Sequence, residues 1–309
     1  MSSGPTLTAI VPATNEPPTL ERCLAAIKGA GESPEEVIVV DSPRNAGPAE
    51  ARNTGAAGAT GDVLVFVDAD VLVHADAFVR LRQAFAADPG LVGVFGSYDD
   101  RPEAPGTVSS FRNLLHHYVH TTAAGPASTF WAGLGAMRRE AFVAAGGFDA
   151  KRYPLPSIED IELGVRVTAA GGRLLLDPAV QGTHLKAWTL GDMVRTDLFR
   201  RGAPWVALVL RTGESSTALN LGWRSRLTAV AYVLALVSTG RRRPLPALAA
   251  LAAAAGLNAS FYSLLVQRLG ARRAAAAVGL HVVHVLTSVA SVPAGLALYL
   301  GEARRGSRR

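Results

Sequence analysis

The chain has 309 residues, with 49% apolar and 18% charged residues and a formal net charge of +6. That length holds one large domain plus an appendage. A single cysteine, Cys23, excludes an intrachain disulfide, and its place in Leu20-Glu21-Arg22-Cys23-Leu24 suits a buried structural thiol.

Charge is distributed unevenly. After Glu214 the only carboxylate is Glu302, while Ala, Leu and Val dominate. The basic excess gathers in Arg241-Arg242-Arg243, Arg272-Arg273, Arg304-Arg305 and Arg308-Arg309. These clusters flank apolar runs and lack interleaved aromatics, which points to anionic lipid headgroups and away from nucleic acid. The N-terminus has no basic segment followed by an apolar one, so the first domain is expected to stay in the cytoplasm.

In chain order, Thr6 to Val11 is a short apolar run ending at Pro12, the pattern of a buried strand. Thr19 to Ala30 has helical spacing. Val37 to Val40 predicts a second strand ending in Asp41, and Ala46 to Ala59 a helix of small residues. Val63 to Val67 predicts a third strand ending in Asp68. Ala75 to Ala87 is a further helix and Val92 to Phe95 a fourth strand. Strands apolar on both faces, alternating with helices, predict a mainly parallel sheet with helices on both faces. Ligands of such sheets bind beyond the carboxyl ends of the strands. Thr14-Asn15-Glu16, Asp41-Ser42 and Asp68-Ala69-Asp70 each follow a strand, so three polar clusters are expected at one crevice. Asp and Asn also favour turns and helix caps, which accounts for each cluster singly but less well for all three.

Further on, Phe130 to Arg138 predicts a strand with glycines at 133 and 135. A helix starts near Ser157-Ile158-Glu159-Asp160, and Arg173 to Leu176 is a short strand. Leu190 to Val209 predicts an amphipathic helix carrying Arg195, Arg200 and Arg201. Leu227 to Thr239 is short for a membrane span. Pro244 to Val266 and Ala274 to Leu300 each reach the roughly 20 residues that cross a bilayer. Arginines on both sides of the first of these conflict with a simple positive-inside assignment, and a helical hairpin returning the C-terminus to the cytoplasm is expected. The resulting division is 1–212 for the α/β domain, 213–243 for an interfacial or short membrane segment, 244–300 for two transmembrane helices and 301–309 for a basic tail.

Asp68 and Asp70 form the strongest local signal. Two carboxylates one residue apart, just past a strand, can reach Mg2+ or Mn2+, ions that prefer oxygen ligands and leave positions for phosphate oxygens. Asp160, at a helix start, is a candidate base for a weakly nucleophilic hydroxyl; an ordinary first-turn Asp is the alternative. Glu159 either caps that helix or touches the acceptor.

Pro12-Ala13-Thr14-Asn15-Glu16, Val40-Asp41-Ser42, Ala51-Arg52-Asn53-Thr54-Gly55, Asp68-Ala69-Asp70, Gly146-Gly147-Phe148-Asp149 and Glu159-Asp160 occur in the order found in family 2 glycosyltransferases. The resemblance spans roughly residues 6 to 210. It implies a GT-A fold (a Rossmann-like α/β architecture), a nucleotide-diphosphate sugar donor, and inversion at the anomeric carbon. By matching position it implies that Pro12, Asn15 and Glu16 line the nucleotide pocket and that Asp41 contacts the base or ribose. Arg52 would help hold the nucleotide end. Asp68 would touch ribose or metal, Asp70 would ligate the metal, Gly133 and Gly135 would admit the donor sugar, and Asp160 would be the base. His184, after the late strand, is similar to a His found near metal or diphosphate in some GT-A enzymes; a structural loop His is the other reading.

Two departures matter. Asp41-Ser42-Pro43-Arg44 replaces the Asp-Asp-Gly-Ser of many members. Phe199-Arg200-Arg201-Gly202-Ala203-Pro204-Trp205 lacks the Gln-x-x-Arg-Trp of processive synthases, which implies a single transfer. Arg200, Arg201 and Trp205 either bind diphosphate or mark the membrane surface. The expected activity is metal-dependent hexose transfer to a lipid-linked or membrane-proximal acceptor, by a multi-pass protein of the cell membrane. The alternatives are a catalytically silent membrane scaffold and a sugar-phosphate nucleotidyltransferase. Against the second stands the absence of glycine from Pro12–Pro18. His116, His117 and His120 suit a polar helix face or acceptor cleft, and His281 and His284 suit hydrogen bonds to neighbouring helices.

Overall fold

The computed structural model describes residues 4–213 and 222–306. Arg308 and Arg309 of the expected basic tail lie outside the described residues, as does Glu214. The chain divides into two compact units, Met1–Ala104 with Val119–Lys186, and Pro105–Tyr118 with Ala187–Arg309.

In the first unit the order is β1 (Leu7–Pro12), α1 (Leu20–Gly29), β2 (Glu36–Val40), α2 (Pro48–Gly58), β3 (Val63–Val67), β4 (Val71–Val73), α3 (Ala77–Ala87) and β5 (Leu91–Tyr98). The end of α4 (Thr107–Thr122) leads to β6 (Gly125–Ala127), β7 (Leu134–Arg138), α5 (Arg139–Ala144), α6 (Glu159–Ala169) and β8 (Arg173–His184). The strands form one sheet in the order β2-β1-β3-β7-β5-β8-β4, with β6 on β8.

Pairing is parallel for β1 with β2, β1 with β3 and β5 with β8. It is antiparallel for β3 with β7, β5 with β7, β4 with β8 and β6 with β8. The sheet is therefore mixed, which corrects the mainly parallel expectation. A strand buried on both faces carries the same apolar run whichever way it points, so periodicity does not report direction. The expected strand from Phe130 is also shorter: residues 130–133 form a loop ahead of β7.

All five residues of β3 are buried. Phe66 meets Phe130, Phe142 and Phe148 with ring centroids 6.3, 5.4 and 5.1 Å apart. This cluster anchors the loops that carry Trp131, Gly147 and Asp149 to the strand that carries Asp68. Truncating such a phenylalanine costs about 3–5 kcal/mol. β1, β2 and β3 are parallel neighbours, so their carboxyl ends share one rim.

The second unit is helical. After the amino-terminal part of α4 come α7 (Leu190–Arg195), a π-helix (Thr196–Gly202), α8 (Ala203–Thr212), α9 (Trp223–Gly240), α10 (Pro244–Leu257) and α11 (Ala259–Gly306), which is broken at Gly270 (φ 73°, ψ 162°). The single amphipathic helix expected over Leu190 to Val209 is thus three segments. Its π-helical part carries Asp197, which is buried against Arg112 and His284. α11 approaches this stretch closely. A Cβ on Gly202 would stand 2.3 Å from Ser291 Oγ, and one on Gly295 2.4 Å from Val206 Cβ. Small residues at such crossings let helix backbones meet.

Among the described residues one helix, Ala259–Arg304, is long and apolar enough to cross a membrane. Of the two transmembrane helices expected over 244–300, Ala274 to Leu300 falls within this helix beyond its break at Gly270, whereas Pro244 to Val266 does not form one. The run from Pro244 to Val266 is interrupted at Asn258 (φ −113°, ψ 17°), which leaves the helical path. Its amide Nδ2 donates to Thr228 Oγ1 at 2.9 Å and to Ala254 O at 2.8 Å. The 14 residues of α10 reach only about 21 Å at 1.5 Å per residue, less than the bilayer's hydrocarbon core of about 30 Å.

Candidate active site

The site is built at the rim where β1, β2 and β3 end. Strand β3 stops at Val67, and the backbone turns through Asp68-Ala69-Asp70, closed by Val71 N donating to Asp68 O at 2.9 Å. The turn presents two carboxylates, and they have different partners. Asp68 Oδ1 accepts from Arg52 Nη2 at 2.6 Å. Asp70 Oδ2 lies 3.7 Å from His184 Nε2. Burial is the main influence pushing the Asp68 carboxyl above its ordinary value. Burial also acts to raise Asp70, but contact with His184 outweighs it and holds that carboxyl low.

His184 closes β8, and its orientation is set by Tyr98, the last residue of β5. The two rings stack at 4.1 Å between centroids and 10° between planes. Trp131 packs edge-on against Tyr98 at 4.9 Å. Tyr98 and Trp131 went unnoticed at the level of sequence, because nothing local to Tyr98 signals that it stacks on a histidine 86 positions later; the sheet register creates that pairing.

Asp160 stands in the first turn of α6. Its Oδ2 accepts from Ala132 N at 3.1 Å and its Oδ1 from Ile161 N at 2.8 Å. Burial, and then the adjacent Glu159 charge, push this carboxyl up to about 6, against the opposing pull of Arg52. Carboxylic acids poised near neutrality are suited to proton transfer. Glu159 is buried; its Oε1 accepts from Arg52 Nη1 at 3.0 Å and its Oε2 from Ser157 N at 2.9 Å. Arg52 therefore joins the β3 turn to the start of α6.

The remaining expected residues fall as follows. Pro12 ends β1, and Asn15 and Glu16 are exposed in the turn after it, where Glu16 (φ 53°) pairs with Arg44. Asp41 is exposed just after β2 and accepts from Ser42 Oγ at 3.1 Å. Loops after β1 and β2 are joined by Thr14 Oγ1 donating to Ala46 O at 2.7 Å and by Asn45 N donating to Thr14 O at 2.9 Å. Gly133 and Gly135 lie on either side of Leu134. A Cβ on Gly133 would meet the Trp131 ring at 2.4 Å, and one on Gly135 would meet Trp131 O at 2.2 Å, so both glycines make room for Trp131. Arg200, Arg201 and Trp205 belong to the helical unit, in the π-helix and α8.

The histidines of α4 and α11 separate. His120 is buried and its Nδ1 donates to Gly96 O at 2.8 Å. His281 Nδ1 bonds to Tyr262 Oη at 2.9 Å, and His284 Nδ1 to Asp197 Oδ2 at 2.7 Å. These are the helix-to-helix bonds expected of histidines in apolar segments.

Whether the residues fit a divalent ion is decided by Asp70 and His184. A carboxylate oxygen and an imidazole nitrogen 3.7 Å apart can share one ion. Among the described residues no group of three or more His, Cys, Asp and Glu side chains is gathered for a metal. Two protein donors leave most of an octahedral shell to phosphate oxygens and water, the manner in which Mg2+ and Mn2+ meet nucleotide phosphates. The donor set fits.

The site stands where parallel strands of an α/β sheet end. Residues 41–144 match the family model described as glycosyl transferase family 2. The matched stretch includes Arg52, Asp68 and Asp70 and ends before Asp160 and His184. No curated protein matches the chain. Among solved structures it is similar to the mannosyltransferase PcManGT from Pyrobaculum calidifontis in complex with GDP-Man and Mn2+, with 21% identity and a TM-score of 0.57 over 94% of this chain and 88% of that one. That likeness shows a shared GT-A-like fold. Two others are GalNAc-T7 with UDP, GalNAc and Mn2+ (16% identity, TM-score 0.47, 75% of this chain and 51% of that one) and glucosyl-3-phosphoglycerate synthase from Mycobacterium tuberculosis with Mn2+, UDP-glucose and phosphoglyceric acid (19%, 0.43, 67% and 79%).

Proposed function

We propose that the chain transfers a single sugar, with inversion, from a nucleotide-diphosphate sugar to a hydroxyl of a lipid-linked or membrane-proximal acceptor. The observation that carries this reading is the Asp70–His184 pair at the end of β3, in one unit with a half-buried Asp160 tied to it through Glu159, Arg52 and Asp68. Asp70 and His184 would hold Mn2+ or Mg2+. When bound, that ion offsets charge on the departing diphosphate.

Asp160 acts as the base. As the acceptor oxygen bonds to the anomeric carbon, the carbon–oxygen bond to the nucleoside diphosphate breaks, and the acceptor's proton passes to the Asp160 carboxylate. Attack opposite the leaving group gives inversion. Pro12, Asn15, Glu16 and Asp41 are assigned to the nucleoside end because they surround the ends of β1 and β2. A membrane-side acceptor is supported by the helix Ala259–Arg304 and by outward leucines such as Leu245, 78% exposed, and Leu248, 62% exposed. The arginine clusters are assigned to anionic lipid headgroups, and the catalytic unit to the cytoplasmic side.

The test is a panel of UDP-, GDP- and dTDP-sugars offered with Mn2+ to the full-length chain in detergent, with lipid phosphates as acceptors. One donor should be consumed and its sugar recovered on lipid, and chelation should stop the reaction. A chain that neither binds nor consumes any of them, with either metal, is not this enzyme.

A further inference from the structure

We propose that Arg52 is a positioning residue: it locks the Asp68–Asp70 turn to the Glu159–Asp160 helix start and does not itself bind the nucleotide. The inference rests on the reading of Asp160 as the base. Its grounds are geometric. α2 begins with Pro48 and carries the small buried residues Ala49 and Ala51, which let the helix lie close enough for Arg52 to point inward. Only 5% of the Arg52 side chain is exposed, and its two terminal nitrogens donate to different carboxylates, Glu159 at 3.0 Å and Asp68 at 2.6 Å. Its guanidinium also lies 5.6 Å from the centroid of the Phe148 ring. Both terminal nitrogens of the fork are thus turned onto carboxylates inside the protein, and the buried Nε, which meets no hydrogen-bond acceptor, is closed off from solvent.

The neighbouring Asn53 extends the lock. Its Nδ2 donates to Phe148 O at 2.8 Å, and its Oδ1 accepts from Phe148 N at 2.9 Å. Gly147 (φ 69°) is the tight point, since a Cβ there would stand 2.7 Å from Asn53 Oδ1. Two adjacent residues of α2 thus hold the β3 turn, the Gly146–Asp149 loop and the start of α6.

One cation faces the buried Glu159 and the half-buried Asp68, and Asp160 stands beside them. The groups acting on Asp160 are Glu159 from its own helix, Arg52 from α2, and the N–H groups of Ala132 and Ile161. Glu159 and Arg52 act in opposite senses, so changing each should move the activity of the base in opposite directions on the pH axis. A merely structural pair would not do this.

The experiment compares full-length wild type with Glu159→Gln, Arg52→Lys, Arg52→Gln and the double variant Arg52→Gln/Glu159→Gln. It reads kcat and KM against pH, and the binding of UDP and GDP with Mn2+. Glu159→Gln should move the acid limb of kcat to lower pH and Arg52→Gln to higher pH. Arg52→Lys should recover part of kcat while binding nucleotide within about threefold of wild type, and the double variant should be no worse than Arg52→Gln alone, since the two residues act as one unit. An acid limb that stays put or rises in Glu159→Gln overturns the proposal. So does Arg52→Lys with intact kcat and nucleotide affinity lowered by about tenfold or more, which is the signature of a direct ligand. If Arg52→Gln does not fold, Glu159→Gln and Arg52→Lys decide the matter. Failure of the base reading has its own sign, wild-type kcat in Asp160→Asn, and the nucleotide affinity of Arg52→Lys still decides whether Arg52 is a ligand.

Discussion

Each unit of this protein buries an arginine against carboxylate, and the two networks are built for different ends. In the helical unit, Arg112 Nη1 donates to Asp197 at 2.8 Å, His284 bonds the same carboxylate at 2.7 Å, and the Arg112 guanidinium lies 5.0 Å from the Trp188 ring centroid. Asp197 is 2% exposed. Burial acts to raise its carboxyl, but Arg112, and then His284, hold it down at about 2. In the α/β unit, Arg52 serves two carboxylates, and Asp70 and His184 stand beside the network, 3.7 Å apart. The first network ties helices of one unit together. The second ends in groups that a ligand can use. Burial and charge alone do not mark chemistry; a place at the ends of the parallel strands does.

Breaking the second network should abolish function without unfolding the chain. Asp70→Ala should remove nearly all metal-dependent donor binding, measured by calorimetry with and without chelator; equal affinity in both would take Asp70 out of the site. Asp160→Asn should retain donor binding and lose turnover on the order of a hundredfold. Breaking the first network should do the reverse. Asp197→Ala removes the carboxylate that the buried Arg112 and His284 share and should cost about 3–5 kcal/mol of stability, read as a lower denaturation midpoint, with nucleotide affinity unchanged. A variant as stable as wild type would mean that the buried pair contributes nothing.

The pH dependences sharpen the same contrast. Asp160 must be ionised to accept a proton, so kcat should fall as pH drops below about 6. Asp197 is ionised far lower. Its folded-state value lies below the ordinary carboxylate value of about 3.9, so its contribution to stability is present above that value and lost as pH falls toward about 2. Activity should therefore vanish at a pH where the helical unit is still folded, which circular dichroism and turnover measured on one sample can check. A smaller effect is expected at Asn258. Asn258→Ala loses two side-chain hydrogen bonds, about 1 kcal/mol each, and should shift the melting temperature by only a few degrees.

Much of this was readable from residue order. The apolar runs at 6–11, 37–40 and 63–67 read as strands, and the helices between them favoured parallel pairing, so Asp41, Asp68 and Asp70 emerge at one rim; β2 itself is half exposed, with Val37 and Val39 on the surface. Local chemistry made Asp160 a candidate base with an ordinary first-turn Asp as the equal alternative, and only the family resemblance favoured the base. Tertiary structure alone decided what these groups meet. Strand direction was hidden because a doubly buried strand looks alike either way, so β7 entered antiparallel without any signal. Long-range register brought Tyr98 and Asp70 to His184, and helix packing turned Arg52 inward to two carboxylates. In the tail, hydropathy reported a continuous apolar run, but it is divided at Asn258, whose side chain bonds across to Thr228 and back to Ala254 O, because a polar side chain in an apolar helix must find its partners wherever the fold places them.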